Sequence, residues 1–299
     1  MSNFSIKDLE TITGIKAHTI RIWEQRYGLI QPQRTDTNIR TYSDEDLRFI
    51  LNVSILNKHG MKISEIVKMD KESIRLKVLS LSEKDSAHSA QIKALISSMF
   101  SLDEVEFNRI LANLILRMGL EEAMIQIIFP FLNEIGILWM TGSIHPAHEH
   151  FISNLIRQKL FVAIDGQTGL HSPSGKKFLL FLPEGEPHEI GLLFANYMLR
   201  ARGHEVIYLG QNLPFTDLQS VLNVYEPEYI FTILTSGLSE SEVQDLVDTL
   251  STTWPEAVIF VSGYLVLNHP HLKLPNNVIS VREVRDLRER IDALQKKVG

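Results

Sequence analysis

The residues best placed to do chemistry lie in the run Glu186-Pro187-His188-Glu189-Ile190-Gly191. A carboxylate two positions ahead of an imidazole can accept one ring N–H, which fixes the tautomer and makes the other ring nitrogen a better metal donor. Gly191, three positions on, lets the backbone turn close to a bulky ligand. His188 is therefore a candidate metal ligand and Glu186 its orienting partner. Upstream stand Trp139 and the pair Glu149-His150; on residue type alone, Trp139 is equally a helix-core residue and Glu149-His150 an exposed pair. His145, His148 and His150 invite a metal reading, but on a helix 145, 148 and 149 share a face while 148 and 150 do not, and no zincin spacing is present. There are no cysteines, which excludes disulfides, thiolate metal sites and cysteine nucleophiles.

The elements that must position these groups follow from periodicity. A strand over 177–183 leads into the Glu186 loop, and from there the pattern alternates: helix 189–202, strand 205–209, helix 215–224, strand 228–235, helix 240–252, strands 257–261 and 277–281, helix 283–297. Alternation of this kind predicts a Rossmann-like, doubly wound parallel sheet, whose ligands bind beyond the carboxyl ends of the strands, where Glu186 and His188 fall. Ser239-Glu240-Ser241-Glu242 is a capping box, and Val284, Leu287, Ile291, Leu294 and Val298 make one apolar stripe that packs on the sheet. Before the sheet, apolar residues recur at helical spacing in four segments, about 88–100, 103–117, 121–140 and 145–165, broken at Ser101, Gly119 and Thr141-Gly142-Ser143. That is a four-helix bundle. Polar, Ser- or Gly-rich stretches at 80–91 and 165–176 read as linkers.

At the N-terminus, Ser5 caps a helix with Asp8, Gly14 makes a turn, and a second helix runs from Ala17 to Tyr27. Gly28, Pro32, Arg34, Asn38, Arg40 and Tyr42 read as a short ribbon or wing, and Ser43 with Asp46 caps a longer helix. Two short helices, a wing and a longer helix make a winged helix-turn-helix. Three domains are expected: 1–75, 83–166 and 176–299. The chain of 299 residues is 44% hydrophobic and 22% charged, ordinary for a protein with real cores. Its net charge of −6 is uneven: residues 1–75 hold 12 Lys/Arg against 10 Asp/Glu and the remainder 18 against 26, so any nucleic-acid-facing surface belongs at the N-terminus. Neither a secretory signal nor a membrane span is legible, and a cytoplasmic location is expected.

The line Ile12-Thr13-Gly14-Ile15-Lys16-Ala17-His18-Thr19-Ile20-Arg21-Ile22-Trp23-Glu24, with Tyr27-Gly28-Leu29, Pro32, Arg34, Arg40 and Tyr42, resembles the MerR family over about 70 residues. The resemblance implies a recognition helix with Thr19, Arg21 and Trp23 at the DNA groove and phosphates, and Arg34, Arg40 and Tyr42 as wing contacts; on residue type Trp23 is equally a core residue of a small domain. The Glu186-x-His188-x-x-Gly191 loop resembles the Asp-x-His-x-x-Gly loop of cobalamin-binding modules, in which the histidine is the lower cobalt ligand, with Glu in place of the usual Asp. Trp139 followed by Glu149-His150 resembles the helical cap of regulators of the CarH/LitR type, where these residues cover the upper, adenosyl face. The family's Ser-x-Leu segment has counterparts here in Thr232-Ile233-Leu234 or Thr235-Ser236-Gly237, and its Gly-Gly pair in Ser262-Gly263, so Thr232, Ser236, Ser262 and Gly263 are expected beside the nucleotide tail. The position after the tryptophan, often His in light-responsive relatives, is Met140. The resemblance implies a non-enzymatic regulator that binds an operator in double-stranded DNA, takes adenosylcobalamin with cobalt on His188, works as a homo-oligomer set by its ligand and by light, and has RNA polymerase as a functional neighbour. The altered strand-end segments leave open a regulator that keeps the fold but senses a partner protein. A cobalamin-dependent enzyme subunit would need a substrate-binding barrel, for which the chain leaves no room.

Overall fold

The structure is a computed structural model that describes residues 4–296 apart from 14, 35–37, 83–87, 141, 143, 168, 170, 171, 173, 222, 223 and 270. The expected turn at Gly14, the centre of the first linker and the end of the C-terminal stripe at Val298 lie outside the described residues. The chain divides into two compact units, 1–152 and 153–299.

The first unit begins with α1 (Ile6–Thr13), α2 (Ala17–Tyr27) and a two-stranded antiparallel ribbon, β1 (Gln33–Arg34) with β2 (Arg40–Thr41). Then come α3 (Asp44–Lys58), α4 (Ile63–Ile66) and α5 (Lys71–Ser82). Caps fix the boundaries as the sequence predicts: Ser5 and Asp8 exchange hydrogen bonds, and Ser43 with Asp46 forms a full capping box. α2 ends where Gly28 turns left-handed, φ 61°, a conformation that suits glycine. The head has two apolar clusters. One gathers Leu9, Ile20, Ile30, Tyr42, Leu47, Ile50 and Leu51; the other gathers Trp23, Leu29, Val53, Leu56 and, from α4 and α5, Ile66, Ile74 and Val78. α4 and α5 lie past the last helix that periodicity assigned to the head, and they close the second cluster.

The helical segment consists of α6 (Ser89–Phe100), α7 (Glu104–Ala123), one π-helical turn (Met124–Ile128), α8 (Phe129–Met140) and α9 (Pro146–Asp165), which belongs to the second unit from Ser153 on. Gly119 does not end a helix as expected. It kinks one, with φ 79° and ψ 161°, and the chain resumes helix through the π turn into α8.

In the second unit the strands β3 (Lys177–Pro183), β4 (Glu205–Leu213), β5 (Tyr229–Ile233), β6 (Val258–Ser262) and β7 (Val278–Ser280) form one sheet in the order β4-β3-β5-β6-β7, with every pairing parallel. The connecting helices are α10 (Glu189–Ala201), α11 (Phe215–Val221), α12 (Glu240–Thr253) and α13 (Tyr264–Leu267), and α14 (Val284–Lys296) follows β7. β3 is buried from Phe178 to Pro183, as a central strand covered on both faces should be. From the α14 stripe, Leu287 and Ile291 are buried. The strand order reverses between β3 and β5, which makes the carboxyl ends of those two strands the switch-point crevice of the sheet. No helix among the described residues is long and apolar enough to cross a membrane.

Candidate functional site

The loops leaving β3 and β5 meet at that switch point, and Glu186 ties them together. Its carboxylate is 1% exposed. Oε2 accepts the backbone N–H groups of Thr235 and, at 2.8 Å, Ser236; Oε1 accepts the N–H of His188 at 3.1 Å and stands 2.5 Å from His188 Nδ1. Burial alone would raise the Glu186 carboxyl. The hydrogen bonds from the His188 ring and the two β5-loop amides outweigh it and hold the group below its usual value, as a carboxylate. An ionised Oε1 requires a proton on Nδ1, so the lone pair of the imidazole lies on Nε2. The ring is 54% exposed at the mouth of the crevice. Ser236 Oγ lies 3.4 Å from the same Nδ1. Two further contacts lock the loops: Gly185 N–H donates to Asn212 Oδ1 at 2.9 Å, and a Cβ on Gly237 would stand 2.7 Å from the Gly185 carbonyl oxygen.

Other expected members of the set sit differently. Gly191 lies in the first turn of α10, and a Cβ there would come within 2.9 Å of Ile233 Cδ1. Its bareness lets α10 close on β5, so the expected approach to a ligand is corrected to packing against the sheet. Thr232 is fully buried inside β5, between Phe181 and Val261 of the neighbouring strands, and its Oγ1 has no hydrogen-bond partner among the described residues. It lies one residue inside the carboxyl end of β5, and its unpaired hydroxyl is a group that a polar ligand atom reaching into the sheet would satisfy. Ser262 Oγ donates to the Val281 carbonyl at 2.8 Å, joining the ends of β6 and β7. Gly263, with φ 101°, lies so close to the Leu234 backbone that a Cβ would overlap it. Ser262-Gly263 thus shapes the β6 end by backbone contact.

In the first unit, α2 shows the amphipathic split expected of a recognition helix. Ile20 and Trp23 are buried, and His18, Arg21, Ile22 and Gln25 form the exposed stripe at i, i+3, i+4, i+7 spacing. Arg21 is outward as expected and Thr19 is half-buried. Trp23 is corrected: at 8% exposure it belongs to the head's second cluster and cannot face a groove. Tyr42 is corrected as well. It is wholly buried, its hydroxyl donates to Glu24 Oε1 at 2.6 Å, and burial beside that carboxylate pushes the phenol far above its usual value. Arg40 Nε lies 3.4 Å from Glu24 Oε2, so Glu24 holds the second wing strand to α2 through both residues. Arg34 is exposed and its guanidinium donates to Asn38, the left-handed residue of the wing turn with φ 63°. Exposure adds His18, Ile22 and Gln25 to the residues expected at the interface. The signal for them was present, since they complement the Ile20/Trp23 burial pair, but it required knowing that Trp23 points inward.

Trp139 is at the end of α8, and its half-buried indole packs against the head cluster of Leu9, Ile20, Ile30, Tyr42, Leu47, Ile50 and Leu51. The Arg48 guanidinium stands over the ring, 5.8 Å from its centroid. Glu149 and His150 are in the first turn of α9, half-buried and exposed respectively. His148, one residue before them, accepts the His145 N–H on Nδ1 at 3.2 Å and lies against the Phe100 ring. No group of three or more His, Cys, Asp or Glu side chains that could hold a metal ion is found among the described residues.

With this geometry in view, the likeness to known proteins is specific. Residues 4–73 match the MerR HTH family regulatory proteins, and residues 91–163, which carry α6 to α9 with Trp139, Glu149 and His150, match the B12 binding domain family. The chain joins a MerR-type helix-turn-helix to a B12-binding domain. Two Myxococcus xanthus proteins are similar over nearly this whole arrangement. The HTH-type transcriptional repressor CarH is 25% identical over 86% of this chain and 88% of its own length, and the HTH-type transcriptional repressor CarA is 28% identical over 85% and 84%. Among solved structures, the monomethylamine corrinoid protein of Methanosarcina barkeri aligns with a TM-score of 0.54 and 14% identity, over 70% of this chain and all of that one. That likeness is one of fold.

Proposed function

We propose that this protein is a cytoplasmic, DNA-binding transcriptional regulator that senses adenosylcobalamin. The observation that carries the reading is the Glu186 network. It presents His188 with its Nε2 lone pair at the switch point of the sheet, on a chain whose other end is a MerR-type head. An imidazole held in one tautomer by a buried carboxylate is the donor that cobalt(III) takes well, and the unpaired Thr232 hydroxyl is consistent with a pocket that receives a polar ligand group. In this reading His188 would be the protein's ligand to cobalt. Ser236, with the backbone around Ser262-Gly263 and Thr232, borders the nucleotide tail. Trp139, Glu149 and His150 would contact the cofactor's adenosyl group. When bound, the cofactor supplies a cobalt–carbon bond that green light can cleave. The head contributes Thr19, Arg21 and Arg34 with the exposed stripe of α2 to an operator in duplex DNA, and Arg40 and Tyr42 keep the wing in place. Phosphate contacts then provide affinity and base-edge contacts specificity. The ligand acts by favouring one homo-oligomeric state, for which it needs different affinities for the two states, with RNA polymerase as a functional neighbour at the promoter. No catalytic role is required of any residue.

The test is an absorbance spectrum of protein incubated with adenosylcobalamin in the dark and then desalted. Retained colour, with a spectrum that shifts and a retention that weakens in His188→Ala, is the expected result. Protein that emerges colourless would favour a regulator that keeps this fold and senses a partner protein.

A further inference from the structure

Trp139 is given two tasks by this chain. It is assigned above to the upper face of the cofactor, yet its indole is packed into the rim of the head's first apolar cluster, where it completes the surroundings of residues from α1, α2 and α3. Arg48 of α3 covers the ring. Ile137, one half-turn earlier on α8, packs in the same way against the second head cluster. The close of the α8–α9 turn follows suit, since a Cβ on Gly142 would lie 3.4 Å from Arg48 Nη1. Arg48 Nε is buried without a hydrogen-bond partner among the described residues, so the seat is held by packing and by attraction of the cation to the indole face, with no hydrogen-bonded lock on that atom. The part of the indole surface that packs on the head cluster is not open to a ligand.

We propose that the head and the cofactor compete for Trp139: without cofactor the indole docks the DNA-binding head on α8, and cofactor binding withdraws it and frees the head. The proposal rests on the cobalamin reading of the preceding subsection. It needs no contact between cofactor and DNA-binding residues, because one side chain biases both equilibria. Linkage then makes the effect reciprocal, so whatever loosens the seat tightens cofactor binding, by at most the same factor.

Arg48 provides the test, because it belongs to the seat and to neither proposed binding set. In full-length protein, Arg48→Ala is expected to tighten adenosylcobalamin binding in the dark by about two- to five-fold, the worth of a cation–π contact. Arg48→Lys, which keeps a cation over the ring, should stay near the wild type. Hydrogen exchange of cofactor-free Arg48→Ala should rise in α3 and at the end of α8, and cofactor-loaded wild type should show the same rise. Wild type that retains cofactor while Arg48→Ala leaves its affinity unchanged or weaker, or loading that leaves exchange in α3 unchanged, would overturn the competition and leave the cobalamin reading intact. Wild type that retains no cofactor at all would overturn both.

Discussion

Replacing Glu186 by Gln isolates the tautomer argument. The carboxylate receives three backbone N–H groups, from His188, Thr235 and Ser236, and faces His188 Nδ1. In Glu186→Gln the amide oxygen can still accept from Thr235 and Ser236, so the two loops stay joined and the stability cost is about 1 kcal/mol. The amide nitrogen then points at His188 and can only donate. That makes Nδ1 the acceptor and moves the ring proton to Nε2, the nitrogen required for cobalt. By analogy with other partners that orient metal-binding histidines, affinity should fall by about 10- to 100-fold while the fold persists. Glu186→Ala behaves differently, because it strands three backbone donors; at the low end of the range for such groups this costs about 3 kcal/mol. For a unit of roughly 150 residues that lowers the unfolding midpoint by about 6–12 °C. The assays are a dark titration with adenosylcobalamin followed by absorbance, and thermal unfolding of each variant. A Glu186→Gln protein that binds with wild-type affinity and spectrum would refute the reasoning, as would an Ala variant with an unchanged midpoint.

Three other outcomes are expected. Trp23→Ala should destabilise the head by about 3–5 kcal/mol as a core truncation, whereas Arg21→Ala should leave its unfolding unchanged and reduce the salt slope of DNA binding by about one if it meets a phosphate; a stable Trp23→Ala head with weakened DNA binding would restore the groove-facing role. His204 is buried, its Nδ1 accepts the Lys176 N–H, and burial, with the nearby Arg202 charge, holds it below the usual histidine value; a depressed folded value means that its contribution to stability is present above about pH 6.5 and is lost as pH falls through the folded value. Denaturant titrations across that window should show the loss in wild type and its reduction in His204→Gln; parallel curves would exclude it. Illumination of cofactor-loaded protein should change its elution on size-exclusion chromatography, but reversibly, because Met140 offers a thioether where an imidazole would bind cobalt(III) more firmly, and His148→Ala should alter the illuminated spectrum. Full photolysis with an unchanged elution volume would refute light control of assembly.

Much of this molecule is local in origin. The capping pairs Ser5/Asp8, Ser43/Asp46 and Ser239/Glu242, the apolar periodicities and the run Lys177–Pro183 act within a few residues of one another, so they are legible in the chain and reappear as helix starts and strands. The Glu186–His188 hydrogen bond is local too, spanning two residues. The direction in which a side chain is used was not local. Trp23 and Arg21 are neighbours on one helix, and only packing by Val53, Ile66 and Ile74 from later helices turns one inward and leaves the other in solvent. Tyr42 reads as a wing contact until Glu24, eighteen positions earlier, receives its hydroxyl. Gly191 reads as room for a ligand until Ile233 fills that room, and Glu186 reads as a histidine partner until the amides of Thr235 and Ser236, about fifty positions on, make it the clasp between two strand ends. Residue types and spacing determined which groups could hold a metal or meet DNA, because those depend on chemistry and on short-range periodicity. The tertiary structure decided which of them are exposed to do so, because burial and hydrogen bonding are set by partners distant in the chain.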